Sequence, residues 1–351
     1  MKYDKLIIYY FSGTGNAKNT SLWIIKVAEE RGLKTHLINI ARFKKIDIPE
    51  LTEKTLIGFC SPTHGFNMPP IVLKFIRKFP KTKNVDAFIL NTRGGLKLYN
   101  FFLPGLSGIA QLLPALMLWL KGFCIVGMQP LDLPSNWLIL HPGLRKKTIE
   151  SIYNRCKKIV DGFANRLLDG RKKYKAFLSL PFDLAIIPIS VGYYFIGRFI
   201  LAKTLVASDA CNNCGLCISK CPVEAINLVN DRPFWSYTCE SCMRCVNECP
   251  HRAIETTHSF LALLILVASG VISPMFAKLL EYFNLLDLEN QLKYIEYLWS
   301  VILTFIFVMF TFLSYRILHF LMKYIIINKI ITYSSLSKYK FWRRYKAPKS
   351  Y

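Results

Sequence analysis

The chain has 351 residues, which is enough for two or three domains. Hydrophobic residues make up 52% of it and its mean hydropathy is +0.28, so a purely soluble protein is disfavoured and membrane segments are expected. The net charge of +24 would suit a nucleic-acid partner, but the basic residues are spread along the chain and concentrate beside apolar segments. An anionic membrane surface is therefore the favoured partner.

The chain contains 11 cysteines, eight of which fall in two short runs described below. The remaining three, Cys60, Cys124 and Cys156, lie in separate apolar surroundings, which predicts buried core thiols. Free thiols favour a reducing cell interior over a secreted protein. Residues 1–11 do not have the layout of a signal peptide and are predicted to form a strand.

A phosphate-binding loop is predicted near the N-terminus. The apolar run 5–11 predicts a strand, the segment 12–20 (SGTGNAKNT) follows it directly, and a helix is expected over 17–30. A glycine loop between a strand and a helix N-terminus lets backbone N–H groups converge on a phosphate. The segment is neither a Walker loop nor G-x-G-x-x-G.

This loop resembles the phosphate-binding loop of flavodoxins, which bind FMN at the carboxyl ends of a doubly wound parallel sheet. The resemblance implies that residues 1–170 form a flavodoxin-like, FMN-binding α/β domain. It also implies that the FMN phosphate is held by Ser12, Gly13, Thr14, Gly15, Asn16 and Ala17. Ala17 departs from the threonine common in that family, which puts one hydroxyl contact in doubt and leaves the backbone donors.

Two further loops follow the apolar runs 55–60 and 87–91, where a flavodoxin encloses its isoalloxazine ring. The resemblance implies ring contacts from Thr63, His64, Gly65, Phe66, Thr92, Arg93, Gly94 and Gly95, with Phe66 or Met68 covering a ring face. For each loop taken alone, ordinary turn chemistry is the competing explanation. His64 would then be a surface histidine, and Arg93 a solvated charge instead of a group that favours the reduced, anionic flavin.

The rest of the predicted domain comprises a fifth strand at 123–128, a turn at 134–137 with Asn136 and Trp137 at the flavin edge, and a helix over 144–168. The apolar segment 98–120 falls between two strands of one sheet, so we expect a helix with its preceding loop and not a membrane span. Residues 171–206 are expected to be an apolar linker at the membrane interface. A single span over 176–197 would place flavin and clusters on opposite faces of the bilayer.

Residues 211–222 and 239–250 each spell C-x-x-C-x-x-C-x-x-x-C-P, offset by 28 residues. This spacing can hold two [4Fe-4S] clusters and resembles the bacterial two-cluster ferredoxin over residues 207–257. The ligand sets are expected to be crossed: Cys211, Cys214, Cys217 and Cys249 for one cluster, and Cys239, Cys242, Cys245 and Cys221 for the other. A pair of zinc knuckles or a disulfide frame is the alternative, although neither usually needs the third C-x-x-C step or the trailing proline.

Two uncharged segments, 259–277 and 297–315, are each close to the length of a membrane span and predict a transmembrane hairpin within 258–315. The connection between them is acidic, whereas the tail 316–351 is basic. The positive-inside rule therefore predicts a multi-pass protein of the cell membrane with its cofactor domains and tail in the cytoplasm. The aromatic and basic segment 341–346 is expected to anchor at the membrane surface, with a nucleic-acid patch as the rival interpretation.

Taken together, the motifs resemble fused flavodoxin–ferredoxin proteins over residues 1–257. The resemblance implies an electron relay between a low-potential soluble donor and an acceptor near the membrane, for which a quinone or a membrane redox protein is a candidate. No nicotinamide fingerprint and no separate acid–base pair can be read in the sequence, so substrate turnover stays an open question. The alternative is a redox sensor or assembly protein whose cluster or flavin state switches a protein contact.

Overall fold

The computed structural model describes residues 2–41, 48–99, 101–282, 295–345 and 347–348. Part of the predicted acidic connection, including Asp287, Glu289 and Lys293, lies outside the described residues.

The N-terminal domain is built on a parallel sheet. Its strands are β1 (Lys5–Tyr10), β2 (Lys34–Asn39), β3 (Thr55–Pro62), β4 (Val85–Leu98), β5 (Phe101–Leu103), β6 (Phe123–Pro134) and β7 (Lys173–Tyr174). They lie in the order β2–β1–β3–β4–β6–β7, and β5 pairs antiparallel with the end of β4. Strands β1 and β3 are buried on both faces, as their continuous apolar runs predict. The order is that of a flavodoxin-like doubly wound sheet, which confirms the predicted fold class.

Helices cover both faces of this sheet. On one face, α1 (Asn16–Glu30) packs against α4 (Lys146–Leu168), where the rings of Trp23 and Tyr153 meet edge to face at 5.7 Å. On the other face lie α2 (Pro70–Lys78) and α3 (Leu112–Trp119). Because the sheet is covered on both sides, its ligand-binding edge is the one formed by the carboxyl ends of the strands.

Two segments differ in detail from the predicted elements. Thr92–Gly95, expected as a loop, lies inside β4, because it pairs in parallel register with the end of β6 at Leu131–Pro134. Residues 98–120 are expected to be a helix with its preceding loop, and the helix is the short α3; β5 and a 3-10 turn at Gly108–Ala110 lie in the segment before it. Cys124 is exposed, whereas Cys60 and Cys156 are buried as predicted.

The linker consists of short helices. A 3-10 turn (Lys175–Ser179) and α5 (Leu180–Ala185) are followed by α6 (Ile187–Gly192), a π-helical turn (Tyr193–Gly197) and α7 (Arg198–Ala202). The two halves, 175–185 and 187–202, bend by 78° at their junction. Pro188 follows this break, where a proline cannot continue the hydrogen-bond ladder of the preceding helix.

The cysteine-rich domain shows its sequence repeat in its structure. It contains β8 (Leu205–Ala207), α8 (Leu216–Ser219), β9 (Ile226–Val229), β10 (Arg232–Trp235), α9 (Arg244–Glu248) and β11 (Ile254–Thr256). Left-handed backbone recurs at the same offset of 28 residues as the cysteines, at Asn213 and Ser241, Gly215 and Met243, and Glu224 and Arg252. The two cysteine runs therefore have the same local fold, as the repeat predicts.

Two C-terminal helices are long and apolar enough to cross a membrane, at 258–279 and 298–321. The first consists of α10 (His258–Val267), a π-helical turn (Ala268–Ile272) and α11 (Ser273–Tyr282), and the second is α12 (Ile295–Leu321). The helix α13 (Ile325–Tyr333) and two 3-10 turns, Leu336–Lys338 and Lys340–Trp342, follow. Both ends of the helix pair lie at the cysteine-rich domain, since α10 begins directly after β11 and Tyr315 of α12 is hydrogen-bonded to Leu205.

Candidate functional site

The predicted flavin residues meet at a cavity of about 260 Å³ at the carboxyl edge of the sheet. The predicted residues that line it are Ser12, Gly13, Thr14, Asn16, Ala17, Thr63, His64, Gly65, Phe66, Thr92, Arg93, Gly94, Asn136 and Trp137. Three segments far apart in the sequence are brought together here because β1, β3 and β4 are adjacent and parallel.

A few residues are placed differently from the prediction. Gly15 and Gly95 are not among the residues that line the cavity, and Met68 is buried in the apolar core beneath α2 instead of facing a ligand. Five lining residues were missed: Pro62, Leu106, Pro134, Ser135 and Leu140. Pro62 and Pro134 end β3 and β6, so the strand ends were the signal that could have found them.

The loop after β1 is a tight turn held by hydrogen bonds of its own residues. Gly15 has a φ of 107°, a conformation that side chains rarely adopt, and its N–H donates to the Ser12 hydroxyl at 3.0 Å. The Asn16 amide donates to the Pro134 carbonyl at 2.8 Å and accepts from the Tyr153 hydroxyl at 2.6 Å. Because Asn16 is already bonded on both sides, its amide fastens the loop to β6 and α4.

His64 is buried, in contrast to a surface histidine. Burial lowers the pKa of His64 to about 4, so the ring is neutral at neutral pH, and a hydrogen bond to the backbone of Glu240 acts in the opposite direction. Its Nδ1 atom is buried and has no hydrogen-bond partner among the described residues. The ring lies 6.3 Å from that of Trp137, which in turn lies 5.5 Å from the ring of Tyr193 in the linker.

Arg93 is not a solvated charge. Its Nε donates to Asp132 at 2.7 Å and its Nη1 to the Ser107 hydroxyl at 3.2 Å. The guanidinium and the carboxylate are both largely buried, so the positive charge at this edge of the cavity is compensated by Asp132. Asp132 also accepts from the Gly105 N–H at 2.8 Å, which holds the segment after β5 over the site.

The first cysteine set surrounds one cavity. Cys211, Cys214, Cys217 and Cys249 all line it, together with Cys245 from the other set. Burial raises the pKa of the Cys217 thiol to about 11, and the nearby thiols Cys211, Cys249 and Cys214 raise it further. All four thiols line the same cavity and therefore lie close together. A bound iron atom would have to displace their protons.

The second cysteine set is more deeply placed. Burial raises the pKa of Cys245 well above its ordinary value, and the thiols Cys239, Cys242 and Cys221 raise it further. In both sets the last cysteine of the run accepts a backbone N–H···S bond four residues on, from Ala225 to Cys221 and from Ala253 to Cys249, each at 3.3 Å. Such bonds to sulfur are one of the means by which a protein adjusts a cluster's potential.

The second cysteine set lies against the flavodoxin-like loop. A Cβ placed on Gly13 would lie 2.6 Å from the Cys242 carbonyl oxygen and 2.8 Å from the Cys242 Cβ. The Asn136 amide donates both to the Thr14 hydroxyl at 2.7 Å and to the Cys242 carbonyl at 3.2 Å. The cavity at the sheet edge and the second cysteine set therefore share a wall.

Glu240 adds a second contact between the two domains. Its carboxylate accepts from the backbone N–H of Ile71 at 3.1 Å, in the first turn of α2, where the helix dipole favours negative charge. Glu240 is buried, and burial raises the pKa of its carboxyl to about 7, while nearby Arg198 acts in the opposite direction.

The described residues 342–345 and 347–348 of the C-terminal segment, called the strap here, lie between the two domains. Arg344 forms an ion pair with the buried Glu255 at 2.9 Å and donates to the Val246 carbonyl at 2.8 Å. Tyr345 is buried and donates its backbone N–H to the Asn247 side chain at 2.8 Å. Its hydroxyl is hydrogen-bonded to Asn16 and Tyr153. The segment expected to lie on a membrane surface thus joins the cysteine-rich domain to the loop after β1.

The sequence pattern of the 4Fe-4S dicluster domain family matches residues 210–254. Residues 210–254 form an iron–sulfur domain. With the flavodoxin-like sheet and the two apolar C-terminal helices, this domain fits a fused flavodoxin/ferredoxin membrane protein. No curated protein matches the sequence.

Solved flavodoxins are similar to the N-terminal part of the chain. The flavodoxin of Streptococcus pneumoniae TIGR4 is 13% identical, with a TM-score of 0.33, and the match covers 47% of this chain and 99% of the flavodoxin. An archaeal flavodoxin is 19% identical, with a TM-score of 0.30, and oxidised flavodoxin 1 of Bacillus cereus is 18% identical, with a TM-score of 0.32. Each of these two matches covers 46% of this chain and 97% of the flavodoxin. The strand order of the sheet is what establishes the fold.

Proposed function

We propose that the chain is a membrane-anchored iron–sulfur flavoprotein that relays electrons between a low-potential soluble donor and an acceptor through FMN and two [4Fe-4S] clusters. The observation that carries this proposal is the shared wall between the cavity and the second cysteine set, where Cys242 touches Gly13. A flavin exchanges electrons singly or in pairs and a cluster exchanges them singly, so a flavin in the cavity and a cluster on the second cysteine set would form a relay.

The residues around the cavity fit FMN. The tight turn at Gly15 and the backbone donors of residues 12–17 suit a phosphate at the N-terminus of α1. Phe66 and Trp137 provide aromatic surface for a flat ring. The Nδ1 of His64, which has no hydrogen-bond partner within the described part of the chain, is a candidate hydrogen-bonding group beside it. When bound, the flavin would supply the redox chemistry, and these residues would bind and orient it.

The cysteine positions support crossed ligand sets. Cys249 lines the same cavity as Cys211, Cys214 and Cys217, and Cys221 lies near Cys245, which supports assigning the last cysteine of each run to the other run's set. The set of Cys239, Cys242, Cys245 and Cys221 would therefore hold the cluster nearest the flavin, and the other set would hold the outer cluster.

Cofactor analysis of anaerobically purified protein tests this proposal. We expect about eight iron and eight acid-labile sulfide per chain, together with one FMN released on denaturation. A content of about four iron per chain would contradict the second cluster, and the absence of FMN after denaturation would contradict the flavin site.

A matched pair of variants, Cys249→Ser and Cys221→Ser, tests the crossing. Each is expected to lose one cluster. Cys249→Ser should keep fast electron exchange between the remaining cluster and the flavin, followed by rapid-mixing spectroscopy, whereas Cys221→Ser should lose it. The reverse pattern would show that the sets are not crossed.

The arrangement of the chain supports anchoring with both cofactor domains on one side of the membrane. The helices 258–279 and 298–321 leave from the cysteine-rich domain and return to it. The contacts of Gly13 with Cys242 and of Ile71 with Glu240 join the domains before and after residues 175–202. A single crossing of the bilayer by that bent segment is incompatible with these contacts, so we assign it to the membrane interface.

A redox sensor is the second candidate function, and the strap favours it. Tyr345 is bonded to both domains next to the loop after β1, so a change in cofactor state could release it. Multiple turnovers with a reduced donor and a dye acceptor would support the relay, whereas stoichiometric reduction with a change in protease access to the strap would support the sensor.

A further inference from the structure

An apolar groove of about 690 Å³ lies between the bent linker and the second long apolar helix. Its walls include Phe195 and Phe199 of the linker, Tyr237 of the iron–sulfur domain, and Thr304, Phe305 and Phe312 of α12. Five of these six side chains are aromatic, which gives flat surfaces on both sides of the groove. Phe195, Tyr237 and Phe305 are each about two-thirds exposed, so the groove is open to an occupant.

One end of the groove is fixed to the iron–sulfur domain. Tyr237 lies two residues before Cys239 of the inner cysteine set. Phe312 lies 5.1 Å from the Nζ of Lys203, which donates to the Trp235 carbonyl. One turn further along α12, the Tyr315 hydroxyl donates to the Leu205 carbonyl at 3.1 Å. These contacts hold this end of the groove beside the inner cysteine set.

The other end of the groove extends along the apolar helix. The lining residues Val301 and Phe312 are separated by about 16 Å along the axis of α12. That stretch belongs to a segment long and apolar enough to cross a membrane. A ligand with a polar head at Tyr237 and an apolar tail would therefore match the groove along its length.

We propose that this groove binds a lipid-soluble quinone, with the ring at the Tyr237 end and the tail along α12. The proposal rests on the proposed electron relay, since it names the acceptor class of that relay. A flat, conjugated acceptor with an apolar tail fits the aromatic walls, the position beside the inner cysteine set and the opening between the linker and the apolar helix α12. The Tyr237 hydroxyl is the polar group at this end of the walls that can donate a hydrogen bond to a ring carbonyl oxygen.

The step balances with the reduced iron–sulfur domain as the donor. One quinone would take two electrons, one at a time, from a cluster held by the inner cysteine set, and the flavin would supply the electrons that restore the reduced cluster. The quinone also takes two protons, which come from water at the exposed Tyr237 end, and leaves as the quinol.

Photoaffinity labelling of the full-length protein in lipid nanodiscs tests the site directly. An azido-ubiquinone probe, used with anaerobically purified protein, should label peptides 195–199 and 301–312. Excess unlabelled quinone should suppress the label. Val308→Trp, which fills the groove, should weaken labelling about tenfold, as an overpacked site would.

Met309→Trp is the matched control, because Met309 is the next residue of the same helix, is exposed and does not line the groove. It should label like the unmodified protein. Quinol formation by the pre-reduced protein should fall in Val308→Trp with iron and flavin contents unchanged. Equal labelling of all lipid-facing positions, or equal effects of the two variants, would overturn the proposal in favour of an acyl-chain surface.

The two proposals can fail separately. If the purified protein contains no clusters, the relay proposal fails, and photolabelling still reports on the groove. If the protein contains clusters but the probe does not label it, only the quinone site fails. The mass of the protein in nanodiscs should correspond to a single chain. If the unmodified protein has the mass of two or more chains and Val308→Trp has the mass of one, the groove is an interface between copies of the chain, which would also overturn the quinone site.

Discussion

Gly13 lies in the glycine loop and also forms the contact between the loop and the second cysteine set. The loop pattern indicates a phosphate site, but the missing side chain of Gly13 is also what lets Cys242 approach the loop. A Cβ at this position would overlap backbone and side-chain atoms of Cys242 that cannot turn away, because Asn136 holds the same carbonyl. The residue therefore controls the distance between the two domains.

Gly13→Ala is expected to weaken the contact between the domains. Overpacking of this kind typically costs about 1–3 kcal/mol, so the inner cysteine set should move away from the cavity. Rapid-mixing spectroscopy should show slower electron exchange between flavin and cluster, with the iron content unchanged.

Gly162→Ala is the control for this variant. Gly162 lies in α4, and a Cβ added to it would meet no atom within 4 Å. Alanine there should raise helix stability by about 1 kcal/mol and leave electron exchange unchanged. Equal rates in the two variants would show that the contact at Gly13 does not limit the exchange.

The burial of His64 could not be predicted from its neighbours in the sequence. A histidine in a loop between Pro62 and Gly65 is compatible with either a ligand contact or an exposed turn. The structure buries it because Trp137 and the backbone of Glu240, both distant in the sequence, close over the ring. No pattern within the loop itself contains that information.

At the scale of elements, the strap is the largest departure from expectation. Its aromatic and basic composition predicts a membrane-surface anchor, yet Arg344 and Tyr345 are bonded inside the protein. The reason is Glu255, a carboxylate that is 1% exposed at the side chain and therefore needs a cationic partner. A charge buried on one element decides where a distant segment of opposite charge lies.

Arg344→Ala is expected to destabilise the protein by about 3–5 kcal/mol, because it leaves the Glu255 carboxylate buried without its partner. The Ser337 hydroxyl, at 2.6 Å, would remain as a single donor. Chemical denaturation followed by circular dichroism measures the loss, and limited proteolysis should show cleavage after residue 340.

Lys340→Ala is the control, since Lys340 is an exposed cation two residues before the strap. It should unfold and resist protease like the unmodified chain. If both variants unfold alike, the ion pair of Arg344 does not hold the strap in place.

At the scale of the whole molecule, both cofactor domains and the strap are expected on one side of the membrane. Intact cells that produce Glu281→Cys should react with a membrane-impermeant maleimide, because residue 281 lies at the far end of the first apolar helix. Lys340→Cys should react only after the cells are permeabilised. The native Cys124, which is exposed on the flavodoxin-like domain, is an internal control for the cytoplasmic side. If Lys340→Cys reacts in intact cells, the strap lies outside the cell and the predicted topology is wrong.

The sequence by itself determined the features that depend on neighbours along the chain. The two cysteine runs, the glycine turn at residues 12–17, the central strands and the two apolar helices were all readable, since ligand spacing, backbone conformation and hydrophobic length are local properties. The strand order then followed from the flavodoxin resemblance, and the sheet confirms it.

Only the tertiary structure decided how these parts meet. The contact of Cys242 with Gly13, the seat of the strap at Glu255 and the groove beside Tyr237 each join segments separated by many residues. Such contacts depend on shape and on buried charges that must find partners, and a one-dimensional pattern contains neither. The same residues that predict a flavin loop, a cluster and an anchor become one connected assembly only when the chain is folded.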